Sequence, residues 1–143
     1  MNDLQRIAID YVGTPHHNGG NVKGAGLDCC TLMTNIQKDM GYGDVPISFG
    51  YSQDWFCQKN CKELLLPYLQ EYCTRVKKLK EGDIISYRWG RAKYAHLAMY
   101  IGNNLVIHCN ADHGVNIAEF NDSCFYDAKG ESRITGYWRR RKE

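Results

Sequence analysis

Cys29, His96 and His108 are the residues whose types and spacing could do chemistry in this chain. Cys29 follows Asp28 and a stretch holding Gly19, Gly20, Gly24 and Gly26, and it opens an apolar-periodic segment with Leu32, Met33, Ile36 and Met40. The pattern predicts a thiol on the first turn of a buried helix. Backbone N–H groups left unpaired at a helix start favour negative charge, so the thiol pKa is expected to be lowered. His96 and His108 follow at strand-like positions. A thiol at a helix start with a histidine elsewhere in the chain is the arrangement of a nucleophile and its base. On this reading Cys29 attacks, His96 takes the proton, and His108 on the neighbouring strand fixes the tautomer of His96. The backbone N–H of Cys29 is one donor to an oxyanion. Taken singly, an intracellular cysteine usually packs and a strand histidine is usually a satisfied core or surface residue. Only the joint pattern points to catalysis.

The elements that must position these groups read as helices first and strands after. Residues 3–12 (Leu4, Ile7, Ala8, Tyr11) form a short amphipathic helix stopped by Gly13-Thr14-Pro15. Residues 16–27 are a glycine-rich loop and 29–40 the cysteine helix, ended by Gly41 to Pro46. Residues 53–73 read as helical, with Trp55, Phe56, Leu64, Leu65, Leu66, Tyr68, Leu69 and Tyr72 apolar and Pro67 as a kink. After the turn Glu81-Gly82-Asp83, strands are expected at 84–89, 95–101, 105–109, 114–120 and 133–139, with a loop at 90–93. This order gives an α+β fold, N-terminal helices packed on a C-terminal antiparallel sheet, with the site at the seam.

The hairpin carries a parity condition. Directly opposed side chains of an antiparallel pair share a face. If Gly102-Asn103-Asn104 is a three-residue loop, Ala98 opposes His108, and His96, Ala98, Tyr100, Val106 and His108 line one face. Leu97, Met99, Ile101, Leu105 and Ile107 then line the other and pack in a core. A plain two-residue loop would part the histidines, so a shared face requires an odd turn or a bulge.

A chain of 143 residues reads as one domain, residues 1–143, with ordinary globular composition. The net charge of +2 argues neither for nor against nucleic acid, and no nucleic-acid partner is expected. The basic runs Arg75 to Lys80 and Arg139 to Lys142 read as solvated surface, with contact to an anionic polymer or a partner subunit as the weaker reading. The N-terminus lacks a basic region followed by an apolar run, and no segment is apolar for long enough to span a bilayer, so synthesis in the cytoplasm without membrane insertion is expected. Seven cysteines, an odd count, read as reduced thiols. Cys29, Cys30, Cys57 and Cys61 supply four thiols near His16 and His17, but Cys57 and Cys61 read as i,i+4 positions on a helix and there is no C-x-x-C pair. Neither metal nor cofactor is expected. Cys57, Cys61, Cys73 and Cys124 read as structural, and His17 and His113 as exposed loop residues.

The segments Gly13-Thr14-Pro15, Gly19-Gly20 and Gly26-Leu27-Asp28-Cys29-Cys30-Thr31-Leu32 resemble the nucleophile region of the NlpC-type cell-wall cysteine peptidases. Glu81 to Tyr87 resembles that family's Gly-Asp strand, His96 to Gly102 its histidine strand, and Val106-Ile107-His108 the strand bearing its third polar residue. The resemblance covers nearly the whole chain. It is nearest to the phage-type branch of tail-associated peptidases, where Tyr51 to Trp55 and Gly136-Tyr137-Trp138-Arg139 have counterparts.

The resemblance implies a papain-like fold that hydrolyses peptide bonds in peptidoglycan stems, commonly between D-γ-glutamyl and a diamino acid. It implies Cys29 as nucleophile, His96 as base, His108 as orienting residue and Asp28 as a substrate-binding position. Two positions depart from the pattern. Cys30 stands where the family usually has a substrate-binding Ser, and it is a rival thiol pointing about 100° away on a helix. His16 stands where a Tyr often flanks the oxyanion. Carriage in a virion tail, with tail proteins as partners, would reconcile a cell-wall substrate with the missing leader. Two other readings keep the fold: a structural subunit of a tail-like particle, and an amidase or acyltransferase on another substrate.

Overall fold

Each of the first two helices starts at a side-chain cap. In the computed structural model, which describes residues 1–46 and 54–142, α1 spans Asp3–Ile9 and α2 spans Cys29–Asp39. Asn2 caps α1: its side chain accepts from the Gln5 N–H at 2.7 Å while the Asn2 N–H donates to the Gln5 side chain at 3.1 Å. α1 is shorter than the periodicity through residue 12 predicts. Tyr11 and Val12 donate three residues back, to Ala8 and Ile9, so the chain tightens into a turn before Gly13. α2 buries Leu32, Met33 and Ile36 completely, whereas Met40 is its C-cap and reaches the surface. Within the segment expected as a glycine-rich loop, β1 (Asn21–Val22) and β2 (Gly26–Leu27) pair as a small antiparallel hairpin.

The single kinked helix expected over 53–73 is not formed. Residues 51–53 of the Tyr51 to Trp55 motif lie outside the described residues. Trp55–Cys57 is one 3₁₀ turn, and only Leu66–Tyr72 (α3) is α-helical. Two features between them prevent a helix. Asn60 has a positive φ of 63°, and Glu63 accepts from the backbone N–H groups of Lys93 and Tyr94 at 2.8 and 3.0 Å, tying the segment to a strand. Pro67 sits in the first turn of α3, where its missing N–H costs nothing. Cys57 and Cys61 are therefore not i,i+4 neighbours on a helix.

Six antiparallel strands follow: β3 (Cys73–Val76), β4 (Ile84–Trp89), β5 (Ala92–Gly102), β6 (Leu105–Asn110), β7 (Gly114–Glu119) and β8 (Ile134–Arg140), in the spatial order β3-β8-β4-β5-β6-β7. The edge strand β3 runs into the first basic stretch, with Thr74 and Arg75 exposed. Charged residues on an edge strand discourage pairing with other chains. β5 begins earlier than expected, because the turn before it narrows to Gly90-Arg91 and Lys93 lies within the strand.

The β5–β6 hairpin meets the parity condition through a bulge. Its loop is the two-residue turn Asn103-Asn104, both at positive φ (55° and 61°) as a type I′ turn demands. Gly102 pairs with Leu105, and the register then shifts so that Tyr100 pairs with Val106 and Ala98 with His108. Leu97, Met99, Ile101 and Ile107 consequently pack with α1 and α2 in the main core. Ala98 and Val106 face the other way, into a smaller cluster with Ile85, Tyr87 and Phe125.

Much of the basic tail is turned to internal use rather than left solvated. Arg139 donates to both oxygens of Asp83, each at 2.8 Å. Arg140 is 5% exposed, lies over the rings of Tyr42 and Tyr72, and donates to Gln37 Oε1 at 3.0 Å and Gly43 O at 3.1 Å. Arg141 donates to the carbonyls of Glu71 and Cys73 at the end of α3. No helix among the described residues is long and apolar enough to cross a membrane.

Candidate active site

Asp28 decides how the cysteine helix begins. Its Oδ1 accepts from the backbone N–H of Cys30 at 3.0 Å and of Thr31 at 2.8 Å, and from the Thr31 hydroxyl at 3.1 Å. Its Oδ2 accepts from the Gly19 N–H at 3.0 Å, fastening the glycine loop to the helix. The carboxylate is buried and its main visible employment is this cap. Asp28→Ala is expected to lower the unfolding free energy by about 1–2 kcal/mol, the scale of a lost cap, while Asp28→Asn retains most of it; denaturant titration reads both. Unchanged stability in Asp28→Ala, with a raised KM alone, would mean that the residue serves substrate rather than the helix.

A cavity of about 380 Å³ opens at this helix start. Cys29, Asp28, His16, His96 and His108 all line it, together with Trp55, Phe56, Trp89 and Asp112. Adjacent residues of β5 (Ala95, His96) and of β6 (His108, Cys109) both border it. It therefore lies at the rim where α2 meets the sheet, not on one sheet face. Its aromatic wall is held by a close approach: Arg91 N–H donates to Phe56 O at 2.7 Å, and a Cβ on Gly90 would stand 2.7 Å from that same oxygen.

The two histidines are joined. His96 Nε2 lies 2.9 Å from His108 Nδ1, and His108 Nε2 lies 3.1 Å from Asn116 Oδ1. The nitrogen of His96 left for the cavity is Nδ1. Tyr87, opposite His96 on β4, and Trp89 cover the His96 ring at centroid distances of 5.8 and 5.7 Å, and Phe125 covers His108 at 5.2 Å. Arg133 stacks its guanidinium on Trp89, 4.2 Å from the ring centre. This aromatic enclosure strips water from the imidazoles and disfavours their charged forms. Burial pushes the His96 pKa well below the ordinary histidine value, with the neighbours His108 and His16 adding to it. Burial also lowers His108, against the opposing pull of Asn116 and Asp122.

The expected low pKa of Cys29 is overturned. Burial pushes the thiol well above its usual range, and the negative charge of Asp28 pushes the same way. Backbone hydrogen bonding from Leu97 and from Cys29 itself opposes this without reversing it. Burial is the main cause, and the cap removes the donors on which the expectation relied. The Cys30 and Thr31 N–H groups that could have steadied a thiolate point at the Asp28 carboxylate instead. Both shifts favour the neutral forms, the thiol of Cys29 and the imidazole of His96.

The NlpC/P60 family model matches residues 13–133. The chain belongs to the NlpC/P60 family. A protein described as a probable endopeptidase NlpC homolog, from Haemophilus influenzae, is 26% identical over 130 residues, covering 91% of this chain and 60% of the relative. The chain thus spans less than two thirds of that relative's length. A solved NlpC/P60 family protein from Bacillus cereus superposes with a TM-score of 0.66 at 26% identity, over 96% of this chain and 39% of the other. The NlpC/p60 domain of the peptidoglycan hydrolase SagA superposes at 0.60 and 17% identity, over 96% and 97%. The fold is the papain-like α+β fold of these domains.

Cys30 is not brought to the NlpC/P60 cavity. It is 0% exposed and packs in the helix–sheet core, away from the position expected of a substrate-binding side chain. The cause is helical rotation, which turns the residue after Cys29 inward. His16 is half-buried at the rim, held by Leu27 N–H donating to Pro15 O and His17 N–H donating to Leu27 O. Burial lowers its pKa, against the pull of Asp28. His17 and His113 are exposed. All seven cysteines are free, and no cluster of three or more His, Cys, Asp or Glu side chains suited to a metal ion occurs among the described residues. Sequence reasoning missed Asn116. Its signal was a polar side chain between Val115 and Ile117, in a strand whose register sets it opposite His108.

Proposed function

We propose that this NlpC/P60 chain is a cysteine endopeptidase that cuts peptidoglycan stem peptides, at the bond between D-γ-glutamyl and a diamino acid. The observation that carries the reading is the shared cavity of Cys29 and the hydrogen-bonded pair His96–His108. Family membership and the likeness to an endopeptidase homolog and a peptidoglycan hydrolase domain support the substrate class.

In this mechanism His96 Nδ1 takes the Cys29 proton as sulfur attacks the scissile carbonyl carbon. The Cys29 N–H, with the His16 ring as a second donor, steadies the tetrahedral oxyanion. Collapse breaks the C–N bond, the imidazolium of His96 protonates the departing amine, and a thioester remains. Water, deprotonated by His96, attacks the thioester, releasing the γ-glutamyl carboxylate and the thiol. His108 holds the His96 ring throughout. The aromatic wall of Trp55, Phe56 and Trp89 keeps water from the thioester until the amine has left.

Digestion of purified peptidoglycan, with fragments read by mass spectrometry, tests this. The expected products are stems ending in D-γ-glutamate and fragments with a newly free diamino-acid amine. Products cut elsewhere would mean an amidase or acyltransferase of the same fold, and no products would mean a structural subunit. Carriage in a virion tail rests on the likeness of Gly136-Tyr137-Trp138-Arg139 to phage-type members. Two of those residues also work inside the fold, Trp138 donating to Ser86 Oγ and Arg139 pairing with Asp83. Immunodetection in purified particles is the matching test; recovery from cytosol alone, without tail particles, would defeat it.

A further inference from the structure

We infer that Asn116 is a positioning residue that fixes the proton order of the whole histidine pair; this rests on the peptidase reading of Cys29 and His96. The third polar group, His108, is ambivalent. A carboxylate only accepts from an orienting nitrogen, but a neutral histidine presents a donor on one nitrogen and an acceptor on the other. His108 left alone could sit either way. In one tautomer its Nδ1 accepts from His96, and His96 Nδ1 carries a lone pair for the thiol. In the other its Nδ1 donates, and His96 must then carry its own proton on Nδ1, where no base is left.

The structure resolves the choice through three adjacent strands. Asn116 on β7 lies directly across from His108 on β6. Its amide nitrogen donates to Gly114 O at 2.9 Å, so its oxygen faces His108 Nε2 at 3.1 Å. That oxygen only accepts, so His108 carries its proton on Nε2 and its Nδ1 is a lone pair. His96 Nε2, 2.9 Å away, must then donate, leaving His96 Nδ1 bare.

The anchor is itself held. Gly114 has a φ of +66°, and a Cβ there would stand 2.5 Å from Thr14 O. Gly13 N–H donates to Val115 O and Val115 N–H to Thr14 O, binding this strand start to the loop that bears His16. Other titratable groups near the pair are His16 from that loop, Tyr87 from β4, Asp122 and His113 from the flanking turns, and Asp28, Cys29, Cys109, Asp112 and Cys124 at the cavity. Asn116 Oδ1 is the group in hydrogen-bond contact with His108 Nε2.

Heteronuclear NMR of ¹⁵N-histidine-labelled protein tests the inference without substrate. Both His96 and His108 are expected as Nε2–H tautomers at neutral pH. In Asn116→Leu both should become tautomer mixtures, with kcat reduced about 10–100-fold, as for groups that orient a functional histidine, and KM little changed. Asn116→Asp keeps an acceptor, so it should restore both Nε2–H tautomers and raise the pKa of the pair. An unaltered tautomer pattern in a folded Asn116→Leu, or an Nδ1–H tautomer of His108 in the unsubstituted protein, overturns the inference. Locked tautomers in a protein that leaves peptidoglycan intact would uphold it and defeat the proposed substrate instead.

Discussion

Cys29→Ala is expected to abolish hydrolysis of stem peptides, by about 10⁵–10⁶-fold in kcat, the scale on which removal of a thiol or hydroxyl nucleophile acts. The fold should survive, because Cys29 is partly exposed at the cavity rim and alanine is the best helix former. Cys30→Ala is the internal control. Cys30 is wholly buried among core side chains, so its loss should cost on the order of 1 kcal/mol of stability and leave kcat nearly intact. Turnover of a defined stem peptide, with denaturant titration of both variants, separates the two thiols. Thiol labelling in bulk does not, since Cys57 and Cys124 are also exposed. Retained activity in Cys29→Ala, or loss of activity in a stably folded Cys30→Ala, would remove the nucleophile assignment.

The contrast between the two thiols was legible in the sequence, because helical rotation is local and needs only the position of the helix start. The same holds for α2, whose cap and apolar stripe lie within a dozen residues, and for the hairpin strands, whose alternation sets the faces. Parity reasoning went as far as requiring an odd turn or a bulge; only the register of Gly102 against Leu105 shows that the bulge supplies it. What failed to show depended on distant partners. The run from Trp55 to Tyr72 has the apolar density of a helix, yet Glu63 is drawn to the β5 backbone and Asn60 adopts positive φ. β3 is masked by charge because it is an edge strand. The electrostatics of Cys29 misled for a related reason. A helix start favours a thiolate only when its N–H groups are free, and whether the preceding aspartate turns inward to use them is a tertiary matter. Asn116 escaped because a polar residue in a strand has meaning only once its cross-strand partner is known.

The opposite shifts of the two groups, Cys29 up and His96 down, make the pH dependence a sharp test of His96. Its depressed pKa means that the base is unprotonated down to pH values below the ordinary histidine pKa of about 6.5. kcat/KM should therefore hold its plateau through pH 6.5 and fall only in more acidic solution, as His96 takes up a proton. The alkaline limb should lie beyond the usual thiol range, because Cys29 is pushed up rather than down. A preformed thiolate–imidazolium pair would behave otherwise, losing activity in mildly alkaline solution as the imidazolium gave up its proton. His96→Ala should cost about 10²–10⁴-fold, the contribution of a general base, and should erase the acid limb with it. His108→Gln should retain part of the activity, since glutamine can still orient the ring. Stability must follow the same sign. Between the depressed folded pKa and the unfolded value, the unfolded chain binds protons that half-buried His96 refuses, so stability is full above about pH 6.5 and is lost as pH falls. The slope approaches about 1.4 kcal/mol per pH unit for each such histidine, and His96→Ala should flatten it. An alkaline limb near neutrality in the unsubstituted protein, or equal losses from His96→Ala and His108→Gln, would mean that the proton starts elsewhere than on Cys29 or that the two histidines share one role.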